Sequence, residues 1–251
     1  MKFQYCSDLH LEFRENKEYL RTNPLLPLGD ILILAGDIVP FKVLKQHDDF
    51  FDYVSKNFET TYWIPGNHEY YYFDLAKKQG CINEKIRENV FLVNNIAVQV
   101  QDVKLICSTL WTHIDVKHQF AIQQSLSDFH VIGYDGKMLN PINYNNLHKD
   151  SLSFIRKELK SSKNEKNIVV SHHVPTFLNY PEKYKGDFLN EAFAVELYDM
   201  IEKSKPDAWI FGHHHSNIND FTIGKTQMLT NQLGYIKYNE NIGFCDKIIN
   251  F

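Results

Sequence analysis

Residues 31–37 read ILILAGD, in which five apolar residues are followed directly by Gly36 and Asp37. A short apolar run that stops at a glycine is typical of a strand buried on both faces. Four other short apolar runs also end in polar residues: FQYC before SDLH (residues 3–10), YWI before PGNHE (62–69), IVV before SHH (168–173) and AWIF before GHHH (208–215). The pattern predicts buried strands that carry polar side chains at their carboxyl ends.

Amphipathic stretches between these runs predict helices over residues 47–58, 143–160 and 191–204, the last closed by Pro206. Strands that alternate with helices indicate a largely parallel sheet. In open α/β sheets ligands bind outside the carboxyl ends of the strands. We therefore expect the five polar segments to meet at one edge of the sheet.

The middle of the chain has a different pattern. Three apolar runs between residues 90 and 110 are separated only by Asn94-Asn95 and Gln101-Asp102, which predicts a ladder of antiparallel hairpins. The region after Phe221 has a similar pattern. No repeat, linker or low-complexity tract interrupts the chain, so we expect residues 1–251 to form a single domain.

Composition limits the classes of partner. The 251 residues carry a formal net charge of −4 at pH 7, and no basic stripe is visible, so extended nucleic acid is an unlikely partner. No Cys-x-x-Cys pair suggests a thiolate zinc site. The start of the chain offers no apolar segment for a signal peptide, and no apolar run approaches the roughly 20 residues of a membrane span. We expect a cytoplasmic protein with no membrane partner; its oligomeric state stays open.

Metal-ligating side chains are concentrated at the strand ends. Asp8 and His10, and again His213 and His215, are two residues apart, and such residues in an extended segment point to the same side. Each motif alone is also compatible with a turn, a surface pair or a fortuitous histidine patch, but five in this order at strand ends favour a metal site. Their nitrogen and oxygen atoms, without sulfur, suit Mn²⁺, Fe or Zn²⁺. The predicted ligands are Asp8, His10, Asp37, Asn67, His172, His213 and His215.

These motifs together resemble those of the calcineurin-like metallophosphoesterases: D-x-H, G-D, G-N-H-[DE], a later H, and G-H-x-H. The resemblance extends over residues 7–231, and every motif residue is present. It implies an α/β fold, a four-layer αββα sandwich of two mixed β-sheets flanked by helices. It also implies one metal held by Asp8, His10, Asp37 and His215, and another by Asp37, Asn67, His172 and His213, with Asp37 bridging.

The resemblance further implies a metal-dependent phosphoric ester hydrolase. Two divalent cations, Mn²⁺ foremost with Fe or Zn²⁺ as alternatives, would lower the pKa of a shared water so that a bridging hydroxide attacks phosphorus. They would also neutralise the phosphoryl oxygens. In the family the histidine that matches His68 stabilises the transition state or protonates the leaving group. We expect His68 to be catalytic and Glu69 to support the ligands.

Several further side chains are candidates for substrate contact. Tyr70, in the run Tyr70-Tyr71-Tyr72, follows the catalytic motif and could stack a base. His173 and His214 adjoin predicted ligands, and His113 lies in the 111–130 insertion, which relatives place near the site entrance. Residues 177–188 could form a rim over the site. Gln232 stands where relatives often have a proline, which puts a fixed turn there in doubt.

The sequence favours a small phosphate ester as substrate and leaves its identity open. A phosphodiester is slightly favoured, with a nucleotide-like one among the options, because aromatic residues are available for stacking and no arginine cluster is present for a dianionic monophosphate. The alternatives are a phosphomonoesterase or a nuclease of the same family, and a metal-loaded, non-catalytic binding or scaffold module.

Overall fold

The computed structural model describes residues 1–162 and 166–251. Its strands are, in chain order, Lys2–Cys6 (β1), Ile31–Ala35 (β2), Thr60–Ile64 (β3), Ile82–Arg87 (β4), Val90–Asn94 (β5), Ile96–Val100 (β6), Val103–Ser108 (β7), Gly133–Tyr134 (β8), Lys137–Met138 (β9), Lys166–Ser171 (β10), Ala208–Phe211 (β11), Phe221–Ile223 (β12), Thr226–Thr230 (β13) and Lys247–Asn250 (β14). Its α-helices are Arg14–Thr22 (α1), Asp48–Asn57 (α2), Gln119–Ser125 (α3), Asp128–Val131 (α4), Pro141–Ser161 (α5) and Tyr198–Ser204 (α6).

The centre of the fold consists of two six-stranded sheets. The first has the order β14-β1-β2-β3-β5-β4, and the second has the order β12-β13-β11-β10-β7-β6. In each sheet the four central strands are parallel and the two edge strands are antiparallel to their neighbours. Both sheets are therefore mixed, as expected.

Strand β2 shows why its sequence is apolar at every position. Ile31, Ile33 and Ala35 face the second sheet and pack in the core between the two sheets. Leu32 and Leu34 point the other way, into the cluster that includes residues of α2. Successive side chains of a strand alternate between its faces, so a strand covered on both sides must be apolar throughout.

The outer face of the second sheet is also covered by helices. Val169 and Trp209 pack there with Ile155 of α5 and Ile201 of α6. The layers are thus helices, sheet, sheet and helices, which confirms the predicted αββα sandwich. Within the described residues, none of the helices combines the length and the apolar character needed to cross a bilayer.

The predicted hairpin at Asn94-Asn95 is wrong. Strands β5 and β6 belong to different sheets, and β5 pairs instead with β3 and β4. The side chain of Asn94 fixes the crossover, because it donates to Gly80 O at 2.8 Å and accepts from the Thr109 amide at 2.8 Å. The second predicted hairpin, β6 with β7, is confirmed.

The predicted helix over 191–204 is only partly correct. Its last part forms α6, whereas residues 193–197 run alongside Val174, with Ala194 bridged to it. The carboxylate of Glu196 accepts hydrogen bonds from the Phe177 and Tyr198 amides at 3.1 and 2.9 Å. The tertiary bond from Phe177 and the local bond from Tyr198 take the place of the intrahelical bonds that the apolar spacing had suggested.

Candidate metal centre

The polar segments that follow β1, β2, β3, β10 and β11 meet at one edge of the sandwich, where both sheets contribute. Their backbone is unusual, because non-glycine residues rarely adopt positive φ. Five predicted ligands have positive φ: Asp8 (57°), His10 (46°), Asp37 (55°), His213 (80°) and His215 (48°). The extended segment expected at Asp8-Leu9-His10 is therefore wrong. Such strain concentrates at functional sites, where the surrounding structure holds it.

Glycines allow the ligands to lie directly against the backbone. A Cβ at Gly66 would lie 2.2 Å from Asp37 Oδ1, and one at Gly212 would lie 2.6 Å from Asp8 Oδ2. Both distances are far shorter than a van der Waals contact. The glycines of the G-N-H and G-H-x-H motifs are thus required by the close packing of the ligands around them.

The predicted ligands form two groups that share Asp37. One group consists of Asp8, His10, Asp37 and His215, and the other contains Asp37, His172 and His213; within each, the ligand atoms lie within 4.8 Å of one another. The Oδ1 of Asn67 lies 3.1 Å from His172 Nε2 and so joins the second group. The Oδ2 of Asp37 lies 3.8 Å from His10 Nε2 and 3.4 Å from His172 Nε2. Asp37 therefore stands between the groups.

The imidazole nitrogens converge in a way that suits cations. His10 Nε2 and His215 Nε2 are 3.0 Å apart, as are His172 Nε2 and His213 Nδ1. The opposite nitrogens are anchored: His10 Nδ1 by Glu12 (3.3 Å), His215 Nδ1 by Glu240 (2.7 Å) and His172 Nδ1 by the Ala35 carbonyl (3.0 Å). A proton held at Nδ1 leaves the Nε2 lone pair free for a metal. This donor set fits divalent cations and forms a potential metal site.

Without a cation, the charges of the cluster compensate one another. Burial lowers the pKa of His172, but attraction to Asp37 outweighs it and raises the pKa to about 9. Burial raises the pKa of Asp37, but the facing His172 and His68 outweigh it and hold the pKa well below its usual range. The buried carboxylates thus require positive charge nearby, which bound cations would supply.

His68 lies beside both groups and lines the adjoining cavity. Its Nδ1 is 3.2 Å from Glu12 Oε1, its Nε2 is 3.3 Å from the Tyr235 hydroxyl, and its amide donates to Asp37 Oδ1 at 2.8 Å. Burial lowers the pKa of His68, but Asp37 and Glu12 together outweigh it, so the net shift is upward. The ring is thus held at the edge of the cavity, between Glu12 and Tyr235.

Glu69 is fully buried and holds the ligand loops together. Its carboxylate accepts hydrogen bonds from five N–H groups: those of Asp37 (2.9 Å), Ile38 (2.7 Å), Val39 (3.3 Å) and Gly66 (2.6 Å), and the indole of Trp63 (3.1 Å). It therefore ties the loop after β2 to the loop after β3.

Three carboxylates that contact the site were not predicted from the sequence. Glu12 joins His10 and His68, and Glu240 anchors His215, as described above. Asp128 Oδ1 accepts from Asn67 Nδ2 at 3.0 Å and from the Tyr71 hydroxyl at 2.9 Å. Asp128 lies in the 111–130 segment, which therefore supports the ligand Asn67. Only Glu12, two residues after His10, stood close enough to a motif to be found from the sequence.

A cavity of about 350 Å³ opens over the ligands. It is lined by Asp37, Asn67, His68, Tyr71, Leu126, Ser127, Asp128, Tyr180, Tyr184, Asp187, Leu189, Asn190, Phe193, His213, His214, His215, Tyr235 and Glu240. Residues of the 177–188 segment form part of this wall, where a rim had been expected. The volume is within the usual range for small-molecule sites.

The four side chains predicted to contact substrate differ in their position relative to the cavity. His214 lines the cavity. His173 is fully buried, and Tyr70, 1% exposed, packs with Phe41 and Trp111. His113 is exposed, with its ring 5.9 Å from that of His148, and is outside the described lining of the cavity. In the tyrosine run it is Tyr71 that lines the cavity, because the short helical turn at His68–Tyr70 directs Tyr70 into the core.

Gln232 fixes the last ligand loop although it is not a proline. Its Oε1 accepts from the His215 amide at 2.7 Å, and its Nε2 lies 3.0 Å from His214 Nδ1. The His214 ring is thereby held beside the cavity without contacting a predicted ligand through hydrogen bonds.

Comparisons with known proteins identify the family of the chain. The family model described as calcineurin-like phosphoesterase matches residues 1–217. A protein of Acanthamoeba polyphaga mimivirus, Uncharacterized protein L509, is 32% identical over 262 residues, which cover 92% of this chain and 90% of that protein. The crystal structure of Phosphopantetheinyl Hydrolase (PptH) from Mycobacterium tuberculosis has a TM-score of 0.70 at 14% identity and covers 94% of this chain and 90% of that one, a likeness of fold. The chain belongs to the calcineurin-like phosphoesterase family and is a metal-dependent phosphoric ester hydrolase.

Proposed function

We propose that the protein hydrolyses a small phosphodiester with the help of two divalent cations. The observation that carries the proposal is the pair of ligand groups that share Asp37, with His68 beside both of them at the cavity. A carboxylate common to two groups of nitrogen and oxygen donors is what a two-metal site requires.

The ligands can be assigned to the two cations. Asp8, His10, Asp37 and His215 would hold one, and Asp37, Asn67, His172 and His213 would hold the other. The cations would supply positive charge to the phosphoryl oxygens and acidify a water that serves as nucleophile. Mn²⁺ is the first candidate, and Fe or Zn²⁺ fit the same donors.

The protein's own side chains orient the substrate and move the proton. His68 holds a proton at Nε2, on the cavity side, for the oxygen of the departing group. Glu12 fixes the ring through Nδ1, and Asp37 and Glu12 raise the pKa of His68, which favours its protonated form. His214 is a candidate for contact with the ester groups, because it lines the cavity without being one of the assigned ligands.

A phosphodiester is favoured over a phosphomonoester by the charges of the cavity. None of the described residues that line it is lysine or arginine, so no guanidinium or ammonium group is at hand for a second phosphoryl charge. A phosphomonoesterase and a nuclease are the alternatives, and the net charge of −4 disfavours the nuclease. A non-catalytic binding module is the remaining alternative.

We also propose that the chain forms a single domain and that the protein is cytoplasmic. A single domain over residues 1–251 is supported by the core that side chains of both sheets form together. A cytoplasmic location is supported by four free cysteines, of which Cys81 and Cys245 are exposed.

A paired assay tests the proposal. Metal is removed, Mn²⁺ is restored, and turnover of bis-p-nitrophenyl phosphate and p-nitrophenyl phosphate is measured for wild type, Asp37→Ala and His68→Ala. We expect metal-dependent turnover that prefers the diester and that both variants lose. Elemental analysis should show that His68→Ala retains its metal.

Matched controls are available on the surface. His130→Ala and Asp199→Ala remove the same kinds of side chain at exposed positions outside the described lining of the cavity and should behave as wild type. A monoester preference would favour the phosphomonoesterase, two bound metals without turnover of either ester would favour the binding module, and a chain that binds no metal would refute the proposal.

A further inference from the structure

The cavity wall next to the ligands is mainly aromatic. The Phe193 ring lies 4.6 Å from that of His213, and the Tyr235 ring lies 4.5 Å from that of His215. Tyr71 covers His68 at 3.9 Å. The groups attached to a phosphorus atom held at these ligands would therefore contact ring faces and edges, which bind apolar and aromatic groups well.

Apart from the predicted ligand Asp37, three carboxylates line the cavity: those of Asp128, Asp187 and Glu240. Two of the three are engaged within the protein: Asp128 accepts from Asn67 and Tyr71, and Glu240 accepts from Tyr235 and faces His215. Asp187 is exposed at the wall, where one of its oxygens caps the turn Phe188–Ala192 through the Leu189 amide.

The positive charge of Lys183 lies close enough to the wall to lower the pKa of His214 and of Glu240. Its Nζ lies 4.6 Å above the Tyr184 ring, and the side chain is exposed. Lys183 is not among the described residues that line the cavity. Away from the predicted ligands and His68, the described lining therefore offers a further anion carboxylates and no lysine or arginine.

We propose that the cavity selects phosphodiesters whose ester groups are aromatic or apolar and carry no further negative charge. This inference rests on the proposed function and narrows its substrate class. A second phosphate on the substrate that reached Asp187 would meet a carboxylate and no lysine or arginine of the lining, and such juxtaposition of like charges is a common means of rejecting a ligand. Mononucleoside esters fit this class, whereas substrates with a terminal phosphate do not.

A pair of substrates that share their reacting bond tests this. One is the p-nitrophenyl ester of thymidine 5′-phosphate, and the other is the same compound with a 3′-phosphate. Both release p-nitrophenolate from the same diester, so only the remote charge differs. We expect kcat/KM to be about tenfold lower for the 3′-phosphorylated ester at low salt, and the gap to narrow as salt screens the charges.

Two variants test whether the charge of Asp187 causes the difference in kcat/KM between the two esters. Asp187→Asn removes the charge and retains an oxygen for the Leu189 amide, so it should reduce the discrimination at least about threefold. Asp199→Asn makes the same change in net charge on the exposed face of α6 and should leave the discrimination unchanged. Equal kcat/KM values for the two esters, or faster hydrolysis of the phosphorylated one, would overturn the inference.

A binding measurement separates this inference from the proposed function. Calorimetric titration of both esters into Mn²⁺-loaded His68→Ala protein should show weaker binding of the 3′-phosphorylated one. If wild type hydrolyses neither ester while this difference in affinity persists, the proposed function fails and the inference stands. If the affinities are equal or neither ester binds, the inference fails.

Discussion

The Tyr71 ring lies nearly parallel to the imidazole of His68, with centroids 3.9 Å apart and an angle of 22° between the planes. The hydroxyl of the same tyrosine donates to Asp128. Tyr71 thus packs on the proposed proton carrier, His68, and is tied to Asp128, which also accepts from the predicted ligand Asn67. The positions of His68 and Asn67 are therefore linked through Tyr71.

Replacement of Tyr71 should separate the effect of the ring from that of the hydroxyl. Tyr71→Ala removes the stack, and we expect kcat to fall about tenfold, because a ring pair contributes about 0.5–1.5 kcal/mol. Tyr71→Phe keeps the ring and should retain most of the activity. Steady-state kinetics with metal content measured in parallel test this. An alanine variant with unchanged kcat would show that the stack does not position His68.

Removal of the Asp128 carboxylate should weaken metal binding. Asp128→Ala frees the Asn67 amide, so its Oδ1 is no longer held toward His172, and we expect metal affinity to fall about 10- to 100-fold. Calorimetric titration of Mn²⁺ into metal-free protein measures the change. Asp199→Ala serves as the control, and equal affinities for the two variants would contradict the assigned role of Asp128.

Loss of Glu69 should destabilise the protein even without metal. Glu69→Ala leaves several buried N–H groups without an acceptor, each at a cost of about 1–3 kcal/mol, so the free energy of unfolding should fall by about 3 kcal/mol or more. Urea denaturation of metal-free protein measures it. Glu88→Ala at the surface should change stability little. A loss of less than about 1 kcal/mol would show that water replaces the carboxylate.

Glu12 should stabilise the metal-free protein in a pH-dependent way. Burial raises the pKa of Glu12, but hydrogen bonds from His10 and His68 outweigh it and lower the pKa from 4.5 to about 2. Because the folded-state pKa is the lower one, this stabilisation is complete above pH 4.5 and is lost as the pH falls toward 2.

Comparison of wild type with Glu12→Gln tests this. Wild type should be more stable by about 2 kcal/mol at pH 7, a value typical of hydrogen bonds to a charged group. The difference should shrink below pH 4.5. Urea denaturation from pH 7 to 3.5 measures it, with the exposed Glu15→Gln as control. A difference in the free energy of unfolding that stays constant with pH would show that Glu12 stabilises the protein through packing and not through its charge.

The fold was largely predictable because five of the central strands, β1, β2, β3, β10 and β11, end at a motif. Strand β2 is apolar on both faces, so its buried position between two layers was evident from the sequence. The crossover at Asn94 was not, because two asparagines between apolar runs have the same sequence pattern in a hairpin and in a passage from one sheet to another. The distinction depends on Gly80 and Thr109, which are distant in sequence.

The ligand groups were predictable for a similar reason, since each ligand adjoins a strand end. The supporting residues were not, because they reach the site through tertiary structure. Glu240 contacts His215 from a loop near the end of the chain, and Asp128 contacts Asn67 from a short helix in an irregular segment. The Tyr70 side chain was misjudged because the direction of a residue in a short helical turn is set by the core against which it packs.

The predicted ligands come from both sheets of the sandwich, and each of the two groups contains residues of both. Asp8, His10, Asp37 and Asn67 follow strands of the first sheet, whereas His172, His213 and His215 follow strands of the second. Between these edges the sheets are joined mainly by apolar contact. Cations bound by both sets would act as cross-links between the two halves of the core. Metal loading should therefore oppose separation of the sheets, so that its removal loosens the sandwich as well as ending catalysis.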